Sequence, residues 1–207
     1  MNIIVRYLNL CDWLETEKKM YEFTKNRTLN TIDELWFAEH YPVFTYGISE
    51  KKYKMSFINK IPVYRSIRGG KITYHGPGQL IIYLLINLQR KKIKFYKLVQ
   101  NIETVIIKLL KDLNISSYTD YNMPGVYVKK KKICSLGFRI MKGCSLHGLS
   151  LNVNMNLIPF KYINPCGNKN IKMTQIKNFN PNITIQKIQK IFIKNFCIVF
   201  NYLITNN

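Results

Sequence analysis

Arg68-Gly69-Gly70-Lys71-Ile72-Thr73-Tyr74-His75-Gly76-Pro77-Gly78-Gln79-Leu80-Ile81-Ile82-Tyr83-Leu84-Leu85-Ile86-Asn87-Leu88 is the stretch on which the reading of the fold turns. Two glycine-rich turns, Arg68-Gly69-Gly70 and Gly76-Pro77-Gly78, bracket a short extended segment from Lys71 to Tyr74. A longer one, Gln79 to Leu88, follows. Its apolar run from Leu80 is nine residues long and contains Asn87, which is too short for a membrane span and fits a buried strand. Paired glycines let a backbone approach a ligand closely and present bare N–H groups. The pattern is neither a P-loop nor a G-x-G-x-x-G fingerprint. Taken alone it reads as two tight turns around a strand, with His75 a structural histidine.

Upstream, Ile3 to Leu8 reads as a strand. Asp12 with Glu15 three positions later resembles a capping box and opens a polar helix to about Thr28. Leu35 to Phe44 reads as one extended segment ended by Tyr46-Gly47, residues 48–60 as a polar, lysine-rich loop, and Pro62 to Ile67 as a strand. Downstream, Phe95, Leu98, Val99, Ile102, Val105, Ile106, Leu109, Leu110 and Leu113 share one helical face. Extended segments are expected at Gly125–Val128, Lys132–Met141 and His147–Val153, then a polar surface connection over 168–183. A last helix starts near Thr184. The expectation is one α/β domain over residues 1–207, a mixed β-sheet with few helices.

Of 207 residues, 47% are apolar and 21% charged, a globular balance. The net charge of +21 comes from 32 basic side chains, of which only six are arginine. Nucleic-acid readers favour arginine. Lysine here is spread along the whole chain beside abundant Ile and Asn and a single alanine, Ala38, which is the mark of compositional drift. The charge would still speed encounter with an acidic partner. Five widely spaced cysteines with no C-x-x-C pair point to a reduced, cytoplasmic setting, and the N-terminus carries no secretory pattern. Cys144 and His147 form a C-x-x-H without a second ligand pair, so no metal is expected.

Three further clusters carry reactive side chains. In Lys132-Ile133-Cys134-Ser135-Leu136-Gly137, strand alternation puts Lys132, Cys134 and Leu136 on one face. A lysine at a pocket mouth favours a nearby thiolate, yet on its own Lys132 reads as the end of the solvated run from Lys129. Gly143 to Asn154 is the next cluster, and Ile163-Asn164-Pro165-Cys166-Gly167 the last. A cysteine between Pro and Gly sits on a constrained, accessible turn, whereas Cys197 lies in an apolar run.

Together the four clusters resemble one family, the lipoyl(octanoyl) transferases. The matching residues are Arg68-Gly69-Gly70-x-x-Thr73-Tyr74-His75-Gly76-Pro77-Gly78-Gln79, Lys132-Ile133-x-Ser135-Leu136-Gly137, Gly143-Cys144-Ser145-x-His147-Gly148-Leu149, Leu151-Asn152-Val153-Asn154-Met155 and Ile163-Asn164-Pro165-Cys166-Gly167. Glu39-His40-x-Pro42-Val43-Phe44-Thr45-x-Gly47 and Met173-Thr174-Gln175 also fit, so the likeness runs from about Leu35 to Gln175.

The resemblance implies the fold of lipoate and biotin protein ligases, a mixed β-sheet flanked by helices. It implies an acyltransferase that needs no cofactor and moves octanoyl from acyl carrier protein to lipoyl domains. The acceptors would be the E2 subunits of 2-oxoacid dehydrogenases and the glycine-cleavage H protein, with no nucleic acid and no membrane involved. Cys166 matches the nucleophile and Lys132 the group that lowers its pKa and assists proton transfer. Arg68, Gly69, Gly70, Lys71, Ile72, Thr73, Tyr74, His75, Ser135, Leu136, Gly137, Gly148, Leu149 and Ser150 match segments lining the acyl site. Tyr46, Cys134 and Asn168 depart from the family's usual small apolar residue, alanine and aromatic, respectively. A thioester donor needs a soft nucleophile, and this predicts ping-pong transfer with backbone N–H groups near Gly137 or Gly167 as oxyanion donors. The rivals are an ATP-dependent ligase on the same fold, which would not need Cys166, and a basic nucleic-acid-binding protein.

Overall fold

The apolar alternation and the capped helices noted above appear in the computed structural model, which describes residues 1–50, 55–121, 123–165 and 171–205. In chain order the elements begin with β1 (Asn2–Cys11), α1 (Trp13–Lys25), β2 (Asp33–His40), β3 (Val43–Tyr46), β4 (Phe57–Ile58) and β5 (Ile61–Arg65). Then come β6 (Ile72–His75), β7 (Gln79–Leu85), α2 (Leu88–Lys91), α3 (Phe95–Asp112), β8 (Tyr118–Thr119) and β9 (Val126–Val128). The chain closes with β10 (Lys131–Met141), β11 (Cys144–Asn152), α4 (Ile185–Phe200) and β12 (Leu203–Thr205).

An eight-stranded sheet runs β12-β1-β2-β7-β11-β10-β9-β8, parallel where β1 meets β12 and β2 and antiparallel elsewhere. A four-stranded sheet, β4-β5-β3-β6, stands beside it. The expected mixed β-sheet flanked by helices is the larger of the two. Strand alternation divides β7 between two layers. Leu80, Ile82 and Leu84 join the core under α3 and α4, while Ile81, Tyr83 and Leu85 face Met20 of α1. Helix α3 buries Leu98, Ile102, Val105, Ile106, Leu109 and Leu110, and α4 buries Ile188, Phe192 and Phe196. The Asp12 carboxylate caps α1 by accepting from the Glu15 N–H at 2.9 Å, and the Thr184 hydroxyl caps α4 by accepting from Lys187 N–H at 3.2 Å.

The structure corrects several boundaries. Leu35 to Phe44 is two strands in different sheets, broken at Tyr41-Pro42 because proline supplies no ladder N–H. The apolar run ends as a strand at Leu85, and the Asn87 side chain caps α2 through Arg90 N–H at 2.9 Å. Helix α1 stops at Lys25. Phe57 and Ile58 of the supposed loop pair with Pro62 and Ile61, and residues 51–54 lie outside the described residues. The stretch read as a surface connection is tied in: Thr174, Ile176 and Ile183 are buried, and Met173 bridges Lys132 in parallel register. Residues 168–170 of that stretch lie outside the described residues.

Candidate active site

The turn Arg68-Gly69-Gly70 is folded onto the end of β3. Ile48 N–H donates to Arg68 O at 2.9 Å and Gly69 N–H to Phe138 O at 2.9 Å. Only glycine fits at position 47, since a Cβ there would lie 2.6 Å from the carbonyl oxygens of Arg68, Gly69 and Gly70. The Arg68 guanidinium locks the turn, donating to Gly69 O (2.8 Å), Thr45 O (2.8 Å), Thr45 Oγ1 (2.9 Å) and Lys71 O (2.9 Å).

Below this turn lies a cavity of about 530 Å³ whose walls are mainly apolar. Arg68, Gly69, Gly70, Lys71, Ile72, Thr73, His75, Ser135, Leu136, Gly137, Gly148, Leu149 and Ser150 line it. Tyr74 does not: alternation along β6 turns its ring into the four-stranded sheet's core, 5.3 Å from Phe44 and 5.7 Å from Phe160. Sequence reasoning missed Trp13 of α1, Tyr83 of β7, Phe95 and Val99 of α3, and His147, all of which line the cavity. His147 was within a quoted motif, and Phe95 and Val99 were on the amphipathic face. Trp13 and Tyr83 carried no local signal.

Two buried histidines, His75 and His147, line the cavity with His40 behind them, and burial lowers the pKa of all three. Burial, then the charge of Arg68, lowers His147 to about 3, and burial with neighbouring His40 lowers His75 to about 3. His40 is lowered by burial; its Nδ1–H donates to Cys11 O (3.0 Å), so its Nε2 accepts the Tyr83 hydroxyl (2.7 Å). His147 adopts φ +61°, and its Nε2 is 3.6 Å from Glu17 Oε1. Burial raises Glu17, opposed by the Ser66 hydroxyl that donates to it at 2.6 Å. His75 and His147, both near 3, therefore stay uncharged at neutral pH.

Lys132, read from sequence as the tail of a solvated lysine run, is 1% exposed. Lys132 pairs in regular register with Tyr127; a register shift in β10 follows it, and Ile133 and Cys134 both join the core, against the alternation expected there. The Lys132 Cε packs against Gly125, where a Cβ would come within 2.5 Å, and its Nζ stands 5.4 Å from the Tyr127 ring centroid. Pro124, next along the chain, lines the cavity. Pro165, the residue before Cys166 in sequence, is buried and lines the cavity as well. Cys166 itself, with Gly167 and Asn168, lies outside the described residues. The four described cysteines, Cys11, Cys134, Cys144 and Cys197, are unpaired, and burial raises the pKa of every one. In the C-x-x-H segment, Cys144 Sγ donates to Lys142 O (3.7 Å) while the His147 ring stacks edge-on to Tyr83.

A family model described as the lipoyl protein ligase A/B catalytic domain matches residues 13–197. The octanoyltransferase of Buchnera aphidicola subsp. Acyrthosiphon pisum is 52% identical over 192 residues, covering 93% of this chain and 91% of that protein. The octanoyltransferase of Shigella flexneri serotype 5b is 45% identical over 199 residues, covering 96% and 93%. A solved structure of lipoate-protein ligase A bound with ATP matches with TM-score 0.85 at 13% identity, over 100% of this chain and 89% of that one, a likeness of fold.

Proposed function

This chain belongs to the lipoyl protein ligase A/B catalytic-domain family, and we propose that it acts there, as one catalytic unit, as an octanoyltransferase working through a cysteine thioester. The observation that carries the proposal is the apolar cavity bounded by both Pro165, the neighbour of Cys166 in sequence, and Pro124, beside the wall that packs Lys132. Burying the seven carbons beyond an octanoyl carbonyl, at roughly 0.8 kcal/mol each, supplies about 6 kcal/mol of binding. The raised pKa of each described thiol supports Cys166 as the nucleophile, since an attacking sulfur must be a thiolate.

The Cys166 thiolate attacks the thioester carbonyl of octanoyl-acyl carrier protein; a new C–S bond forms, the old one breaks, and the carrier leaves as a thiol with a proton given up by the Lys132 ammonium, which is left neutral. A lysine amine of a lipoyl domain, on an E2 subunit or an H protein, then attacks the acyl-enzyme. The amide bond forms, the Cys166 thiolate departs, and Lys132 takes the amine's proton. Arg68, with its guanidinium spent on backbone and Thr45 oxygens, holds the glycine turn over the acyl chain. A cytoplasmic setting accords with this chemistry, and among the described residues no helix is long and apolar enough to cross a membrane.

The test is intact-protein mass spectrometry after mixing with octanoyl-acyl carrier protein. One octanoyl adduct on the native chain, cleaved by hydroxylamine and absent from Cys166→Ser, is expected without ATP. Normal turnover by Cys166→Ser would overturn the proposal, and transfer from free octanoate that requires ATP would put a ligase in its place.

A further inference from the structure

The mechanism leaves one buried polar chain unused. The Gln79 and Asn152 side chains, 1% and 2% exposed, face each other across the β7–β11 pair. Their polarity is fixed from one end. Thr174 O can only accept, so Asn152 Nδ2 donates to it (2.9 Å); Asn152 Oδ1 therefore accepts from Gln79 Nε2 (2.9 Å). Gln79 Oε1 accepts from His75 Nδ1 (2.8 Å), which leaves His75 Nε2 to accept from Thr45 Oγ1 (3.3 Å). Arg68 donates to that hydroxyl at 2.9 Å, so the chain starts at the cavity wall.

At its other end the chain reaches Lys132. Thr174 N–H donates to Lys132 O (2.9 Å), and Lys132 N–H donates to Lys172 O (2.8 Å). Residues 172–174 thus hold both backbone polar groups of Lys132, immediately before the irregularity in β10. The same segment is fastened once more by Gln175 Oε1, which accepts from Met155 N–H at 2.7 Å.

We propose that Asn152 is a positioning residue for Lys132: by donating to Thr174 O it fixes the segment that brackets the Lys132 backbone, and through Gln79, His75 and Thr45 it ties that segment to Arg68 at the acyl cavity. The inference rests on Lys132 taking part in the transfer. Displacing a reacting group by about 1 Å costs on the order of 100-fold in rate.

Asn152→Asp tests the donor. An ionised carboxylate keeps the acceptor for Gln79 and loses the donor to Thr174 O; a protonated one regains it. The other titratable or charged groups along the chain are His75, neutral throughout the assay range, Arg68 and Lys132. The expected result is a kcat for Asn152→Asp that falls about 10- to 100-fold at alkaline pH with KM within about twofold of native, and that recovers relative to native as pH is lowered. Asn152→Leu, with no donor at any pH, should show the loss without the recovery. Amide exchange at Thr174 and Lys132 should quicken in both while α3 stays protected. Native kcat in Asn152→Asp at every pH, or equal losses in the two variants with parallel pH profiles, would overturn the inference. Lys132→Ala separates the two readings: full turnover there refutes the role of Lys132 itself, whereas an inactive Lys132→Ala beside a native-like Asn152→Asp refutes this inference alone.

Discussion

Replacing Gly125 by alanine tests the burial of Lys132 from the opposite side. Gly125 has φ +138°, a conformation that strains an L side chain by about 1–3 kcal/mol. The added Cβ would lie 2.5 Å from Lys132 Cε and 2.6 Å from Cys134 O, where ordinary contact begins at 3.4 Å. The Cys134 carbonyl belongs to β10 and is held by its ladder, so most of the adjustment falls on the lysine stem, which must retreat by roughly 1 Å. Strain and crowding together should cost about 2–4 kcal/mol, and at roughly 2–4 °C per kcal/mol for a chain of this size Tm should fall by about 5–15 °C. Gly125 does not line the cavity, so KM for the acyl donor should hold while kcat falls about 100-fold. The assay pairs a thermal melt by circular dichroism with steady-state octanoyl transfer well below the variant's melting point. A lowered Tm with native kcat would refute the reasoning, because Lys132 would then work from any nearby position.

Asp33 is 1% exposed and accepts from Arg27, Arg90 (2.6 Å), Asn87 N–H (2.8 Å) and the Tyr202 hydroxyl (2.5 Å); Asp33→Asn should cost about 3–5 kcal/mol in urea unfolding, and a cost under about 1 kcal/mol would contradict it. His75 and His147 are near 3 in the folded chain against about 6.5 unfolded, so between those values the unfolded state binds the extra protons and stability is lost as pH falls. Each should contribute about 1.4 kcal/mol of loss per pH unit below 6.5, which His75→Gln and His147→Asn should remove; a melting point flat from pH 7 to 5 would refute it. With a net charge of +21, the second-order rate with an acidic carrier should drop steeply with added salt, and a flat response would show that the charge does not steer encounter.

Periodicity made the helices legible. The stripes on α3 and α4 repeat at helical spacing, and the Gly69-Gly70 pair announced a turn that does border the cavity. What escaped the sequence was set by contacts between distant segments. Lys132 ends a run of four lysines, and nothing local distinguishes the buried one; its backbone is held by Lys172 and Thr174, which are distant in sequence. Both lie in a stretch of Asn and Lys whose polarity reads as solvent-facing, since those residues recur along the whole chain. Tyr74 shares a motif with cavity residues but sits on the other side of its strand. Trp13 and Tyr83 reach the cavity from α1 and β7, and only tertiary packing brings those two elements together.

The two faces of β7 bear on how such a cavity can change over evolution. Every residue of that strand is buried, and the neighbours of Ile81 and Tyr83 along it are Leu80, Ile82 and Leu84, the centre of the core beneath α3 and α4. A substitution that reshapes the cavity floor disturbs packing one residue away, in a sheet with strands on both sides. The roof is made otherwise: Gly70 and Lys71 are exposed, and Phe95 stands at the first turn of α3, half in solvent. Variation in the length or shape of the acyl group accepted is therefore expected to accumulate in the roof, while the floor stays fixed across long divergence.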